Sequence, residues 1–133
     1  MICIELPLSV IPAVNKTNGK KYILNLNNYC NWHYHVKNNV KKTYQSEIAN
    51  KLQGIKFYDP VSLVFVLHMG SARRVDRANV LCIHEKYFCD AMTEQGCIPD
   101  DNDKYILSTT YKTGAISKDN PCVRVYIDEL TER

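Results

Sequence analysis

The chain has 133 residues and a formal net charge of +3, with 45% hydrophobic and 23% charged residues. That length suits one domain, 1–133, with a single core, and that composition excludes a disordered chain. No apolar run approaches the length of a membrane-spanning helix, so no membrane partner is expected.

The first fourteen residues are apolar, but Glu5, Pro7 and Pro12 interrupt them and no basic residue leads them. They read as an opening strand and a turn rather than a secretory leader. The strand is "ICIEL" (2–6), ended by Pro7. An Asn- and Lys-rich stretch follows, with a turn at Asn18-Gly19. It reads as an exposed loop around a short "YIL" strand. From about Asn31 to Leu52 the pattern becomes helical, because Trp32, Val36, Val40, Tyr44, Ile48 and Leu52 recur every four residues. Gly54 should stop that helix.

"VSLVFVLHM" (61–69) is a nearly continuous apolar run, expected as a central strand buried on both faces. A second helix is expected from about Arg77 to Glu94. Val80, Ile83 (or His84), Tyr87 and Met92 would form its buried side, and Gly96 would end it. An acidic turn and a strand follow, then a half-buried final strand "CVRVYIDEL" (122–130). Asn120-Pro121, with Gly114 upstream, suits a hairpin between the last two strands. The order strand, helix, strand, helix, strand, strand argues for an α/β chain of the mixed α+β kind, a small mixed sheet packed with two main helices.

Six cysteines are present, with no C-x-x-C pair. Cys82, His84, Cys89 and Cys97 lie near one another, but their spacings fit no common zinc template. Reduced, mostly buried thiols are the expectation. The basic residues are unevenly spread. Between Lys16 and Lys56 there are eight lysines and one acid, Glu47. Such a surface can bind phosphates or simply solubilise, and composition leaves the two even.

The chemistry concentrates in 73–103, "RRVDRANVLCIHEKYFCDAMTEQGCIPDDND". Asp100, Asp101 and Asp103 fall within four positions of an otherwise basic chain. Crowded carboxylates repel unless they are solvated, cap a helix or hold a cation. Asn79, Ile83, Lys86 and Asp90 share one helical face, and Asp76 stands at the start of that helix. Each feature has an ordinary reading: Asp76 as a cap, Lys86–Asp90 as a surface pair, Asp100-Asp101 as a turn. The joint arrangement is what those readings leave unexplained.

This ordered string resembles the RusA family of Holliday-junction resolvases, common in phages and prophages. Arg73-Arg74 match the family's basic lead, Asp76 and Asn79 its first aspartate and its asparagine. Lys86 lies four residues before Asp90-Ala91-Met92, and Gly96 and Asp100-Asp101 follow at family spacing. In outline "IELPLSVIPAVN", "NNYCNWHYHVKNNVKKTY" and "CVRVYIDEL" resemble the opening strand, first helix and last strand. Two departures stand out. Ala78 occupies the position of the family's second aspartate, and the Asn79–Lys86 interval is longer by about one helical turn. Glu85, Asp90 or Asp103 could replace the missing carboxylate.

The resemblance implies a homodimer that binds four-way DNA junctions and nicks two opposed strands symmetrically. It places the protein in the cytoplasm, that of a bacterial host if the chain is phage-encoded. Magnesium, with manganese as the alternative, would be held by Asp76, Asp101, Asp100 and Asp90. Asp76, Asn79, Lys86 and Asp101 would be the catalytic set. Lys86 would stabilise the transition-state phosphate and Asn79 would orient a ligand or water. Arg73, Arg74, Arg77, Lys37, Lys41 and Lys42 would contact DNA phosphates. A catalytically weakened or inactive branched-DNA-binding protein is the alternative, and Ala78 is its main argument.

Overall fold

The computed structural model describes residues 1–130. In chain order its elements are β1 (Ile2–Leu6), β2 (Ser9–Val10), a 3-10 turn (Ala13–Asn15), β3 (Tyr22–Ile23), α1 (Leu26–Asn31), α2 (Tyr34–Leu52), β4 (Val61–His68), α3 (Arg77–Glu94), β5 (Ile106–Thr113) and β6 (Cys122–Glu129). The fold is mixed α+β, with three helices, a four-stranded mixed sheet and a small two-stranded sheet made by β2 and β3. No described helix is long and apolar enough to cross a membrane.

The four-stranded sheet has the order β1-β6-β4-β5. β6 runs antiparallel to both β1 and β4, and β5 runs parallel to β4. The apolar run of β4 therefore takes a central place, as its composition predicts. Burial on both faces does not occur. Val61, Leu63, Phe65 and Leu67 are buried, whereas Ser62, Val64, Val66 and His68 are only half-buried. The helices cover one face alone, so the alternation of side chains divides the strand.

The expected hairpin between the last two strands is absent. β5 and β6 flank β4 from opposite sides. Because β4 and β5 are parallel, residues 114–121 must cross the end of β4 to begin β6. Gly114 makes that crossing possible. A Cβ there would stand 2.5 Å from His68 Cε1 and 2.6 Å from Val66 Cγ1. His68 Nδ1 donates to the Ala115 carbonyl at 2.8 Å and holds the crossing down.

The first long helix starts later than its periodicity predicts. Asn25 accepts from Asn28 N–H at 2.7 Å and opens the separate helix α1, which the loop reading missed. Trp32, in extended conformation, breaks the chain between α1 and α2, and His33 caps α2. The predicted stripe then holds. Val40, Tyr44, Ile48 and Leu52 are buried against the core, with Trp32 and Val36 packed at its margin. Full burial of such side chains contributes roughly 1.5–3 kcal/mol each.

α3 has the expected bounds. Asp76 accepts from Asn79 N–H at 3.4 Å at its start. At its end Gly96 takes a φ of +76°, Cys97 N–H donates to Met92 O at 2.9 Å and Gly96 N–H to Thr93 O at 3.1 Å. Those two bonds close the helix and turn the chain back along it. Leu81, Ile83, His84, Tyr87, Phe88, Cys89, Ala91 and Met92 are buried, so α3 is enclosed over more of its circumference than one stripe.

Candidate functional site

The structure divides the predicted site residues between the two ends of α3. At the N-terminal end stand Arg73, Arg74, Asp76, Arg77 and Asn79. Arg73 and Arg74 are exposed on the loop after β4, where they line a cavity with Met69, Val75 and Ile116. Arg77 donates to Thr113 Oγ1 at 3.2 Å, at the far end of β5. Asn79 accepts from Asn27 N–H at 3.3 Å and so ties α1 to α3. Ala78 is exposed in the first turn.

At the other end stand Glu85, Lys86, Asp90, Asp100 and Asp101. The reversal at Gly96 carries the acid turn back beside the C-terminal half of α3. There the Asp101 carboxyl meets those of Asp100 and Asp90. Partial desolvation, then those two carboxylates, hold the Asp101 carboxyl above the usual carboxylate range. Asp101 N–H donates to Asp100 Oδ1 at 2.8 Å, which orients the turn.

Asp76 and Asp101 do not share a metal within one protomer. Asp76 and Asp90 are fourteen residues apart on one helix, which is about 21 Å at about 1.5 Å per residue. The sheet separates them as well. Asp76 follows β4 and Asp101 precedes β5, so they lie beyond opposite ends of two parallel eight-residue strands. Such strands span about 26 Å. The ligand set Asp76, Asp100, Asp101 and Asp90 is corrected accordingly: the last three are neighbours and Asp76 is not.

The spacing that puts Asn79, Ile83, Lys86 and Asp90 on one face of α3 does not give them one environment. Ile83 is buried, while Asn79 and Asp90 are half-buried and Lys86 is exposed. Nor do Lys86 and Asp90 pair. Asp90 instead bonds Lys41 of α2 at 2.9 Å. Lys41 is therefore already engaged, and Lys37 lies over the Tyr29 ring at 4.5 Å. Lys42 stands exposed on the same helix.

Lys86 lines a cleft of about 410 Å³ with Glu85, Cys89, Asp101, Asp103 and Tyr111 among its walls. Tyr111 O–H donates to Glu85 Oε1 in a short hydrogen bond. Burial first, then Glu85, raises the Tyr111 hydroxyl above its ordinary range, so it stays a donor. Burial, then Glu85, Asp101 and Asp90, push the Cys89 thiol up to about 12. Cys89 is thus a neutral thiol facing carboxylates and not a thiolate ligand. Sequence reasoning missed Tyr111 because it lies on β5, twenty-six residues from Glu85.

No protein-family model matches the chain, and no curated protein matches it.

Among the described residues no three His, Cys, Asp or Glu side chains converge as a ready metal cage. The Asp90–Asp101 pair still fits a magnesium ion, which prefers one or two carboxylates with waters and phosphate oxygens to an all-protein cage. All six cysteines are unpaired; Cys89, Cys97 and Cys122 are buried, Cys82 is half-buried, and Cys3 and Cys30 are exposed.

Proposed function

We propose that the protein is a magnesium-dependent, structure-specific endodeoxyribonuclease that resolves four-way DNA junctions, acting as a homodimer. The observation that carries the reading is an open cleft in which Lys86 and Glu85 stand with Asp101 and Asp103, while Asp100 and Asp90 act on the Asp101 carboxyl from beside it. The like charges raise the cost of ionising Asp101, and a divalent cation would relieve it. Asp90 and Asp101 would hold magnesium, or manganese in its place, which would supply charge neutralisation and an acidified water. Lys86 supplies a cation for the non-bridging phosphate oxygens. Tyr111 holds Glu85 at the cleft wall, where its carboxylate can orient or deprotonate a water. Lys37, Lys42, Arg73, Arg74 and Arg77 offset the acids for a polyanionic substrate. A two-fold dimer would present one such cleft to each cut strand.

A second reading has specific support. Asp76 stands far from Asp101, Ala78 carries no carboxylate, and Lys41 occupies Asp90. These features favour a branched-DNA binder with weak or no cleavage. One experiment separates the readings. Purified protein is incubated with a labelled mobile four-way junction in magnesium and in EDTA, and nicks are mapped. Paired symmetric nicks in magnesium alone are expected. Junction binding without nicks would leave the binder, and no binding would remove both.

A further inference from the structure

We infer that His33, Tyr34 and His35 form a stacking platform for unpaired nucleobases, beside the phosphate-binding lysines of α2. The inference rests on the nucleic-acid part of the proposed function and not on the metal. The three rings pack against one another as a compact exposed cluster, which leaves its outward side to solvent. His33 and Tyr34 lie 4.7 Å apart between centroids, Tyr34 and His35 4.0 Å, and His33 and His35 4.9 Å with planes 24° apart. All three are exposed, and Tyr34 has 62% of its surface in contact with solvent. Aromatic rings ordinarily stabilise a fold by burial, as Tyr44 and Tyr87 do in this one.

The platform is also held in place. His33 is the N-cap of α2, and its Nδ1 accepts from His35 N–H at 3.3 Å. The rings therefore stand at the start of a nineteen-residue helix whose other side is anchored in the core. The backbone that carries them is thus fixed by the helix.

The surroundings select the partner. Lys37 follows within one turn and Lys42 stands further along the helix. The stretch from Lys16 to Lys56 carries eight lysines and one acid. Exposed aromatic rings at the start of a lysine-bearing helix fit a chain that alternates phosphates with flat rings, which is single-stranded nucleic acid. A duplex offers phosphates but keeps its bases stacked inside. The platform also has a defined place relative to the cleft. Lys41, seven residues after Tyr34, bonds Asp90, so the rings lie about 10 Å along α2 from the carboxylates. A strand tracking α2 would thus set an unpaired base on the rings and a phosphate near Asp90 and Asp101.

The test uses the full chain in EDTA, which removes cleavage from the readout. A fluorescent single-stranded 20-mer and a duplex of equal length are titrated by anisotropy, and a second single strand carries 2-aminopurine. The wild type should bind the single strand and quench 2-aminopurine. Tyr34→Ala with His35→Ala should weaken single-strand binding about fivefold or more, change duplex binding less than twofold, and lose the quench. Tyr34→Phe should restore both when combined with native His35. Equal single-strand affinity of the double variant overturns the inference. So does wild-type binding without quenching, which needs no variant to fold. Failure of junction cleavage in magnesium bears on the metal reading only.

Discussion

Lys41 and Asp90 are joined by an ion pair of 2.9 Å that links α2 to α3 at the edge of the candidate cleft. The pair places a cation on one of the carboxylates that act on Asp101. Lys41 is thereby a competitor of any cation that Asp90 and Asp101 would bind together. Lys41→Ala should increase divalent affinity, measured as the rise in unfolding temperature on adding manganese. Its effect on stability without metal should be small, about 0–1 kcal/mol, because both side chains are about one-third exposed. An unchanged response to manganese would separate Asp90 from the cation site.

Asp101→Asn addresses the same crowding from the other side. Its carboxyl is raised by partial desolvation and by Asp100 and Asp90. A raised carboxyl destabilises the folded state once ionised, so the amide should leave stability at neutral pH unchanged or slightly higher. The same variant should lose magnesium-dependent nicking of a four-way junction while keeping junction binding. Wild-type cleavage by Asp101→Asn would exclude this turn from the chemistry.

Asp76 is expected to act differently. It caps α3 through Asn79 N–H, and asparagine caps about as well as aspartate. Asp76→Asn should keep stability, and Asp76→Ala should cost about 1 kcal/mol in chemical denaturation. With Asp76 roughly 20 Å from Asp101 along α3, cleavage by Asp76→Asn should persist if one protomer supplies the whole site. Loss of cleavage at unchanged stability would mean that Asp76 reaches the cleft of a second copy of the chain.

Local chemistry made α3 legible in the sequence from end to end, since Asp76, the apolar positions and Gly96 each mark it. The separation of Asp76 from Asp101 was implicit in the same helix, because its length fixes the distance. α1 was not legible: "LNNYCN" is too short to establish a helical period, and only the Asn25–Asn28 bond marks its start. The place of β5 beside β4 was not legible either. A Gly and an Asn-Pro suit a hairpin as well as a crossing, and strand order depends on which neighbours β4 takes. The Lys41–Asp90 and Tyr111–Glu85 contacts join separate elements and have no local signature.

Gly114 should not tolerate a side chain. Its hypothetical Cβ meets His68 Cε1 and Val66 Cγ1 at contact distances no real Cβ shows. The histidine is bonded to Ala115 O and cannot swing aside without losing that bond. Gly114→Ala should cost on the order of 1–3 kcal/mol by urea denaturation. A neutral effect would mean that residues 114–121 cross β4 further from the sheet than the His68 contact requires.

Stability should also depend on pH through a histidine in the core. His84 is fully buried, contacts Tyr44 O–H through Nδ1 at 3.2 Å, and has no partner at Nε2. Burial lowers its folded-state value to about 3, against about 6.5 for an unfolded chain. Below about pH 6.5 the unfolded chain binds a proton at His84 that the folded chain refuses, so stability present above that pH is lost as pH falls toward 3. The loss from this group is about 1.4 kcal/mol per pH unit across that window. Urea denaturation at pH 7, 6, 5 and 4 should show it. Tyr44→Phe with His84→Leu removes both polar partners together, so no hydroxyl is left unpaired, and its profile should be shallower by about that slope. Parallel profiles for the two proteins would mean that the histidine gains a proton inside the fold, at the cost of local opening between α2 and α3.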